Sequence, residues 1–286
     1  MLDRAPVPTL AVPLKACSPD RRVDVLAERT GTLACEFTFT PSSLREVVSC
    51  ARAVVSGTSP YGRGDGESDV SGEVRFHARA MPALDFALPG EEGEGACVRL
   101  RKAITEIGER FGPTYLTIHS GIDEDELDMA VALERLANLR DLAASRGIVL
   151  CLENLACGWT SNPSNLVRAA QESGVRLTVD IGHINSCENC RSGTYTRRSF
   201  IEEIGVFVAA AHVYEYEDEG HRCDHDCALT WDALEALLLT DADWWVVELF
   251  DEDAFAMMLE EVEAFLAHAF GSRKDWNLER KLSPRN

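Results

Sequence analysis

Apolar positions along the chain follow two alternating rhythms. Short apolar segments bounded by turn-forming residues alternate, over the whole length, with longer segments whose apolar residues recur every three or four positions. That alternation predicts repeated strand–helix units and a parallel sheet. Eight strands are expected: Thr9 to Leu14, Leu33 to Phe37, Val74 to Ala78, Tyr115 to His119, Val149 to Glu153, Arg176 to Asp180, Phe207 to Tyr214 and Trp244 to Leu249. Between them, Leu127-Met129-Ala130-Leu133-Leu136-Leu139-Leu142 and Phe255-Met258-Leu259-Val262-Phe265-Leu266 have helical spacing. Gly31, Gly112, Gly147, Gly174 and Gly205 are expected to turn helices into strands with a positive φ. Eight units in this length predict an α/β protein, a single-domain (β/α)8 TIM barrel over 1–270 with a C-terminal tail at 271–286; a doubly wound open sheet is the competing arrangement.

The Gly/Ser/Asp-rich stretch Ser56 to Gly72 has the composition of a phosphate loop. It follows a helix and precedes a strand, the reverse of the order a phosphate cradle requires, and so reads as a loop on the face away from the chemistry.

Charge narrows the choice of partner. Against 28 Lys+Arg stand 48 Asp+Glu, a net charge of -20 over 286 residues, which repels a polyanion and disfavours nucleic acid. No apolar run reaches the ~18 to 20 residues that span a bilayer, and the first sixteen residues do not read as a secretory signal, so a cytoplasmic protein without a membrane partner is expected. Ten cysteines in such a chain read as free thiols or metal ligands rather than a disulfide framework. Cys35, Cys50, Cys97 and Cys151 have the setting of core residues.

Seven polar residues stand at or just beyond the C-terminal ends of the expected strands: His77, His119, Glu153, Asp180, His183, His212 and Glu248. In a barrel these ends converge on one bowl. Three carboxylates and four imidazoles crowded there would repel and desolvate one another unless a cation joined them, and mixed nitrogen and oxygen donors suit Zn²⁺, Mn²⁺, Fe²⁺ or Co²⁺ better than Mg²⁺ or Ca²⁺.

The series His77-Ala78, His119-Ser120-Gly121, Glu153-Leu152 with Asn154, Asp180-Ile181-Gly182-His183, His212-Val213 and Glu248 resembles the xylose isomerase-like TIM barrels, which include sugar isomerases and epimerases and the endonuclease IV-like apurinic nucleases. The resemblance implies one to three divalent ions. Glu153, Asp180, His212 and Glu248 would hold the principal one, and His77 and His119 would join Glu153 at a second. His183 would contact substrate in an epimerase or a third ion in a nuclease. The family's D-x-H element after the seventh strand is altered here, where His221-Arg222-Cys223-Asp224-His225-Asp226-Cys227 sets Asp and His side by side.

For an isomerase or epimerase of a sugar or sugar phosphate, the implied chemistry is proton transfer by Glu153 and Glu248 through a metal-stabilised enediolate. His183, Arg222, Asp224 and His225 would bind substrate. The alternatives are an apurinic-site phosphodiesterase and a non-catalytic metal-binding barrel. The pairs Cys187/Cys190 and Cys223/Cys227, on neighbouring loops, have spacing that suits a structural zinc site; free, partly buried thiols are the competing reading.

Overall fold

A computed structural model of the chain describes residues 7–14, 20–30, 33–56, 72–217, 221–222 and 227–270, with the backbone alone at 222 and 227–230. The strands are β1 (Thr9–Leu14), β2 (Ala34–Phe39), β3 (Glu73–Ala78), β4 (Thr114–Ile118), β5 (Ile148–Glu153), β6 (Arg176–Asp180), β7 (Val208–Val213), a short hairpin β8 (Tyr216–Glu217) and β9 (His221–Arg222), and β10 (Trp244–Val247). All but the hairpin close into a parallel barrel in the order β1-β10-β7-β6-β5-β4-β3-β2. The open sheet is therefore excluded and the (β/α)8 barrel stands.

Helices α1 (Arg21–Thr30), α2 (Leu44–Val55), α3 (Gly90–Gly108), α4 (Met129–Ser145), α5 (Pro163–Ser173), α6 (Ile181–Ser186), α7 (Glu188–Arg191), α8 (Arg197–Ile204), α9 (Cys227–Leu237) and α10 (Glu252–Phe270) complete the described elements. Both stretches with helical spacing are helical, except that Leu127 precedes α4. Their apolar stripes bury against outward-facing strand residues such as Phe37, Phe76, Leu116, Leu152, Val179, Val213 and Trp245, forming the main core. Local signals set the ends of α5: the Asn162 side chain accepts a hydrogen bond from the Ser164 amide, Pro163 opens the first turn, and Gly174 closes the last at φ +75°.

Strand alternation puts the other side chains inside the barrel. Ala11, Ala34, Ala210, Trp244 and Val246 pack there as a small separate cluster. Higher up, Thr117 on β4 and Thr178 on β6 share a hydrogen bond of 2.9 Å across the intervening strand. At the floor lies Arg75, its guanidinium 3.6 Å from the centre of the Tyr115 ring and 4.5 Å from that of Trp244. It donates to Asp243 at 2.8 Å. These side chains plug the N-terminal end of the barrel.

Some expectations need correction. Gly147 and Gly174 have the positive φ expected of them, but Gly112 does not, and Gly205 is helical at φ -51°; a helix can also leave its last turn through a 3₁₀ segment, as at 205–207. Cys35, Cys97 and Cys151 are buried, whereas Cys50 is only half-buried on α2 and is disulfide-bonded rather than a free thiol. The glycine-rich loop at 57–71, Gly31 and the tail at 271–286 lie outside the described residues.

Candidate metal centre

Inward-facing positions at the upper ends of the strands carry the polar residues. His77 and His212 are the penultimate residues of β3 and β7, and Glu153 and Asp180 close β5 and β6. His119 and Glu248 follow β4 and β10 directly. All six are buried, at 0 to 7% exposure.

Two groups of donor atoms form. Glu153, Asp180, His212 and Glu248 each offer one atom, and these atoms lie within 4.8 Å of one another, as do those of His77, His119 and Glu153. In the first, His212 Nδ1 is 2.7 Å from Glu248 Oε2, 3.4 Å from Glu153 Oε2 and 3.8 Å from Asp180 Oδ2. In the second, the Nε2 atoms of His77 and His119 face each other at 2.9 Å, with Glu153 Oε2 3.3 and 3.2 Å away. Ligands at about 2.0 to 2.2 Å from a shared ion are spaced this way. Glu153 Oε2, Asp180 Oδ2 and His212 Nδ1 are buried without a hydrogen-bond partner. Convergent, unsatisfied donors suit a divalent cation, because leaving them unpaired is costly.

The surroundings hold these atoms in place. Asp180 caps α6, its Oδ1 accepting from the His183 amide at 2.7 Å, which leaves Oδ2 for the bowl. Asn154 accepts from the Asp180 amide at 2.8 Å and donates to its carbonyl at 3.0 Å, tying the ends of β5 and β6 together. Gly182 is required by a close approach: a Cβ there would lie 2.0 Å from the Tyr214 ring. Asp85 joins the loops after β3 and β4 by accepting from the Ala87 and Gly121 amides at 3.0 and 2.9 Å.

Charges are shared between the two kinds of side chain. Burial opposes ionisation of Glu153, but His212, His119 and His77 hold its carboxyl well below the usual range. Glu248, buried beside His212, is lowered to about 2. Burial likewise opposes charge on His77, His183 and His212, and the neighbouring carboxylates nonetheless raise all three.

His183, at the rim, donates through Nδ1 to the Asn154 carbonyl at 2.8 Å. His221 stacks on Tyr214, ring centres 4.4 Å apart, and is 3.1 Å from Glu217. The backbone of Arg222 pairs with Tyr216 in the β8–β9 hairpin; its side chain, like Cys223, Asp224, His225 and the side chain of Cys227, lies outside the described residues. Cys187 and Cys190 are close together, and a hydrogen bond from Cys190 lowers the Cys187 thiol to about 7 while that of Cys190 is raised.

Sequence reasoning missed Glu36. It sits midway along β2, 1% exposed, with Oε1 2.8 Å from His212 Nε2 and 3.6 Å from His77 Nδ1. The available signal was a lone charged residue in the otherwise uncharged strand ACEFTF.

A closed parallel barrel with histidines and carboxylates at its C-terminal mouth defines a class of TIM barrels whose mouth is suited to a metal ion. The chain belongs to the xylose isomerase-like TIM barrel family, whose model matches residues 54–268. It is 33% identical over 181 residues to the uncharacterized protein MJ0008 of Methanocaldococcus jannaschii, covering 62% of this chain and 73% of that one. Among solved structures it resembles a D-tagatose 3-epimerase-like protein (TM-score 0.63, 16% identity, 91% of this chain and 97% of that one). Endonuclease IV from Thermus thermophilus is also similar (TM-score 0.59, 17% identity, 91% and 100%), as is a zinc-bound IOLI protein (TM-score 0.62, 14%, 92% and 99%).

Proposed function

We propose that the protein is a metal-dependent isomerase or epimerase of a sugar or sugar phosphate. The observation that carries this reading is the buried group Glu153, Asp180, His212 and Glu248, whose two glutamates stand three strands apart around the barrel, on β5 and after β10. Those four residues would hold the principal ion, of the Zn²⁺, Mn²⁺, Fe²⁺ or Co²⁺ type, with a second at His77, His119 and Glu153. A bound divalent ion supplies Lewis-acid polarisation of the substrate's oxygens, which acidifies the carbon–hydrogen bond between them.

The chain's own groups do the rest. Glu153 and Glu248 face the bowl from two sides, so one, as the carboxylate, can take a proton from the substrate carbon while the other, having first picked up a proton from solvent, returns one to the opposite side. His183, its Nδ1 held by the Asn154 carbonyl, would donate through a protonated Nε2 to a substrate oxygen whose charge changes. Arg222, Asp224 and His225, in the loop after β7, complete the binding of a carbohydrate.

The test is incubation with a panel of sugars and sugar phosphates in heavy water. Deuterium should enter a carbon-bound position of at least one hydroxy-ketone or hydroxy-aldehyde. The His77–His119–Glu153 group favours a second reading, phosphodiester cleavage at apurinic sites, against which the charge of -20 weighs. Cleavage of an abasic duplex, with no exchange in any sugar, would move the assignment to that chemistry.

A further inference from the structure

Glu36 lies beneath both groups of donor atoms and belongs to neither of the two sites assigned above. It faces inward from the middle of β2, between β1 and β3 and three strands around the barrel from β7. Each of two imidazoles turns one nitrogen to it and the other into a donor group. His212 offers Nε2 to Glu36 at 2.8 Å and Nδ1 to Glu248, Glu153 and Asp180. His77 turns Nδ1 to Glu36 at 3.6 Å and Nε2 to His119 and Glu153. His77 Nδ1 is buried without a hydrogen-bond partner, and the carboxylate it faces, just beyond hydrogen-bond distance, is Glu36.

We infer that Glu36 is a positioning residue for both histidines, and through them sets the affinity of both metal groups together; this rests on the metal-centre reading above. A neutral imidazole carries a proton on one nitrogen and a lone pair on the other, and a carboxylate accepts from the protonated one. One buried carboxylate against His212 Nε2 and His77 Nδ1 therefore leaves the lone pairs on His212 Nδ1 and His77 Nε2, the atoms that point into the two groups. It also fixes the rotation of each ring. Carboxylates behind ligating histidines commonly change metal affinity by ~10 to 100-fold. This one is unusual in standing behind two rings that serve different groups.

Glu36, His77 and His212 also offer donor atoms within 4.8 Å, a geometry that could hold an ion of its own. That arrangement would strip both ring nitrogens of His212 and of His77 of protons if the upper groups were filled at the same time, turning each ring into an anion. The positioning role needs no such ionisation.

The experiment uses the full chain with Glu36→Ala and Glu36→Gln, measuring Zn²⁺ affinity and count by chelator competition and the visible spectrum after Co²⁺ loading. In Glu36→Ala, both classes of bound ion should weaken by about 10 to 100-fold with the saturating count unchanged. Glu36→Gln, which keeps an acceptor oxygen, should recover part of that and restore the Co²⁺ band positions. Thermal melting of the metal-free variants checks folding: loss of the Glu36 contact to His212 should lower the melting temperature of Glu36→Ala but leave a single cooperative transition. Parental affinity in a folded Glu36→Ala would overturn the inference. So would loss of one whole equivalent with the rest held normally, which would make Glu36 a ligand. A parent protein that binds no ion at all would instead overturn the metal-centre reading itself.

Discussion

Asp180 divides its carboxylate between two tasks, one oxygen capping α6 and the other left bare in the bowl. Its replacement by Ala should therefore cost both the ion and the helix cap. Metal content should fall by at least one equivalent in Asp180→Ala and in Glu248→Ala, while only Asp180→Ala also loses ~1 kcal/mol of capping stability in a metal-free melt. Unchanged metal content in both variants would remove these residues from the ligand set. Protons and metal compete for the same nitrogens. His77, His183 and His212 have folded pKa values raised above 6.5, so their protonation contributes stability that is complete below that value and is lost as pH rises through the raised ones. Glu248 has the opposite sign: its contribution is present above 4.5 and lost as pH falls toward about 2. The metal-free protein should thus melt highest near about pH 5 to 6 and lower at pH 9, whereas the metal-loaded protein should hold its melting temperature over that interval and bind its ion more tightly as pH rises.

At the level of elements, the strands were legible and the loops were not. A buried parallel strand needs an apolar outward face under its helix, and that requirement writes a run of Leu, Ile, Val and Phe that bounds each strand within a residue or two. Polar residues at the final inward position, His77, Glu153 and Asp180 among them, stand out against such runs. Glu36 stood out too, but only by being charged in a mid-strand position, where nothing in the spacing marks which neighbour it meets. Arg222, Asp224 and His225 belong to a loop whose contacts no period encodes. The glycine of DIGH has a definite cause, the Tyr214 ring against Gly182. Gly182→Ala should displace that ring or the first turn of α6, lowering stability by ~1 to 3 kcal/mol and loosening metal binding through Asp180; a melt and a chelator titration check both. Cys187 and Cys190 hold the next loop. We propose that they act as thiols and not as half of a zinc site, so Cys187→Ser/Cys190→Ser should keep every metal equivalent, and loss of one would establish the zinc site with Cys223 and Cys227.

Across the whole molecule, the excess of acidic over basic residues is spread over a barrel whose described helices include none long and apolar enough to cross a membrane. Self-repulsion among those charges destabilises the compact state at low salt and is screened as the Debye length shrinks from about 10 Å at 0.1 M to about 3 Å at 1 M. The melting temperature should climb between 0.05 and 1 M KCl, by roughly 2 to 4 °C for each kcal/mol regained; a flat or falling curve would mean that charge repulsion is not what limits stability.

The Arg75–Tyr115–Trp244 plug makes the barrel a vessel with one mouth. Among the described residues Arg75, Tyr115 and Trp244 fill the floor, so whatever enters is expected to leave by the same opening. Arrival of a new substrate molecule and departure of the last product are thus mutually exclusive events at a single doorway, and a ligand seated there also bars the exit of anything beneath it. Product should consequently inhibit in strict competition with substrate, and a bound sugar should slow the escape of metal to a chelator.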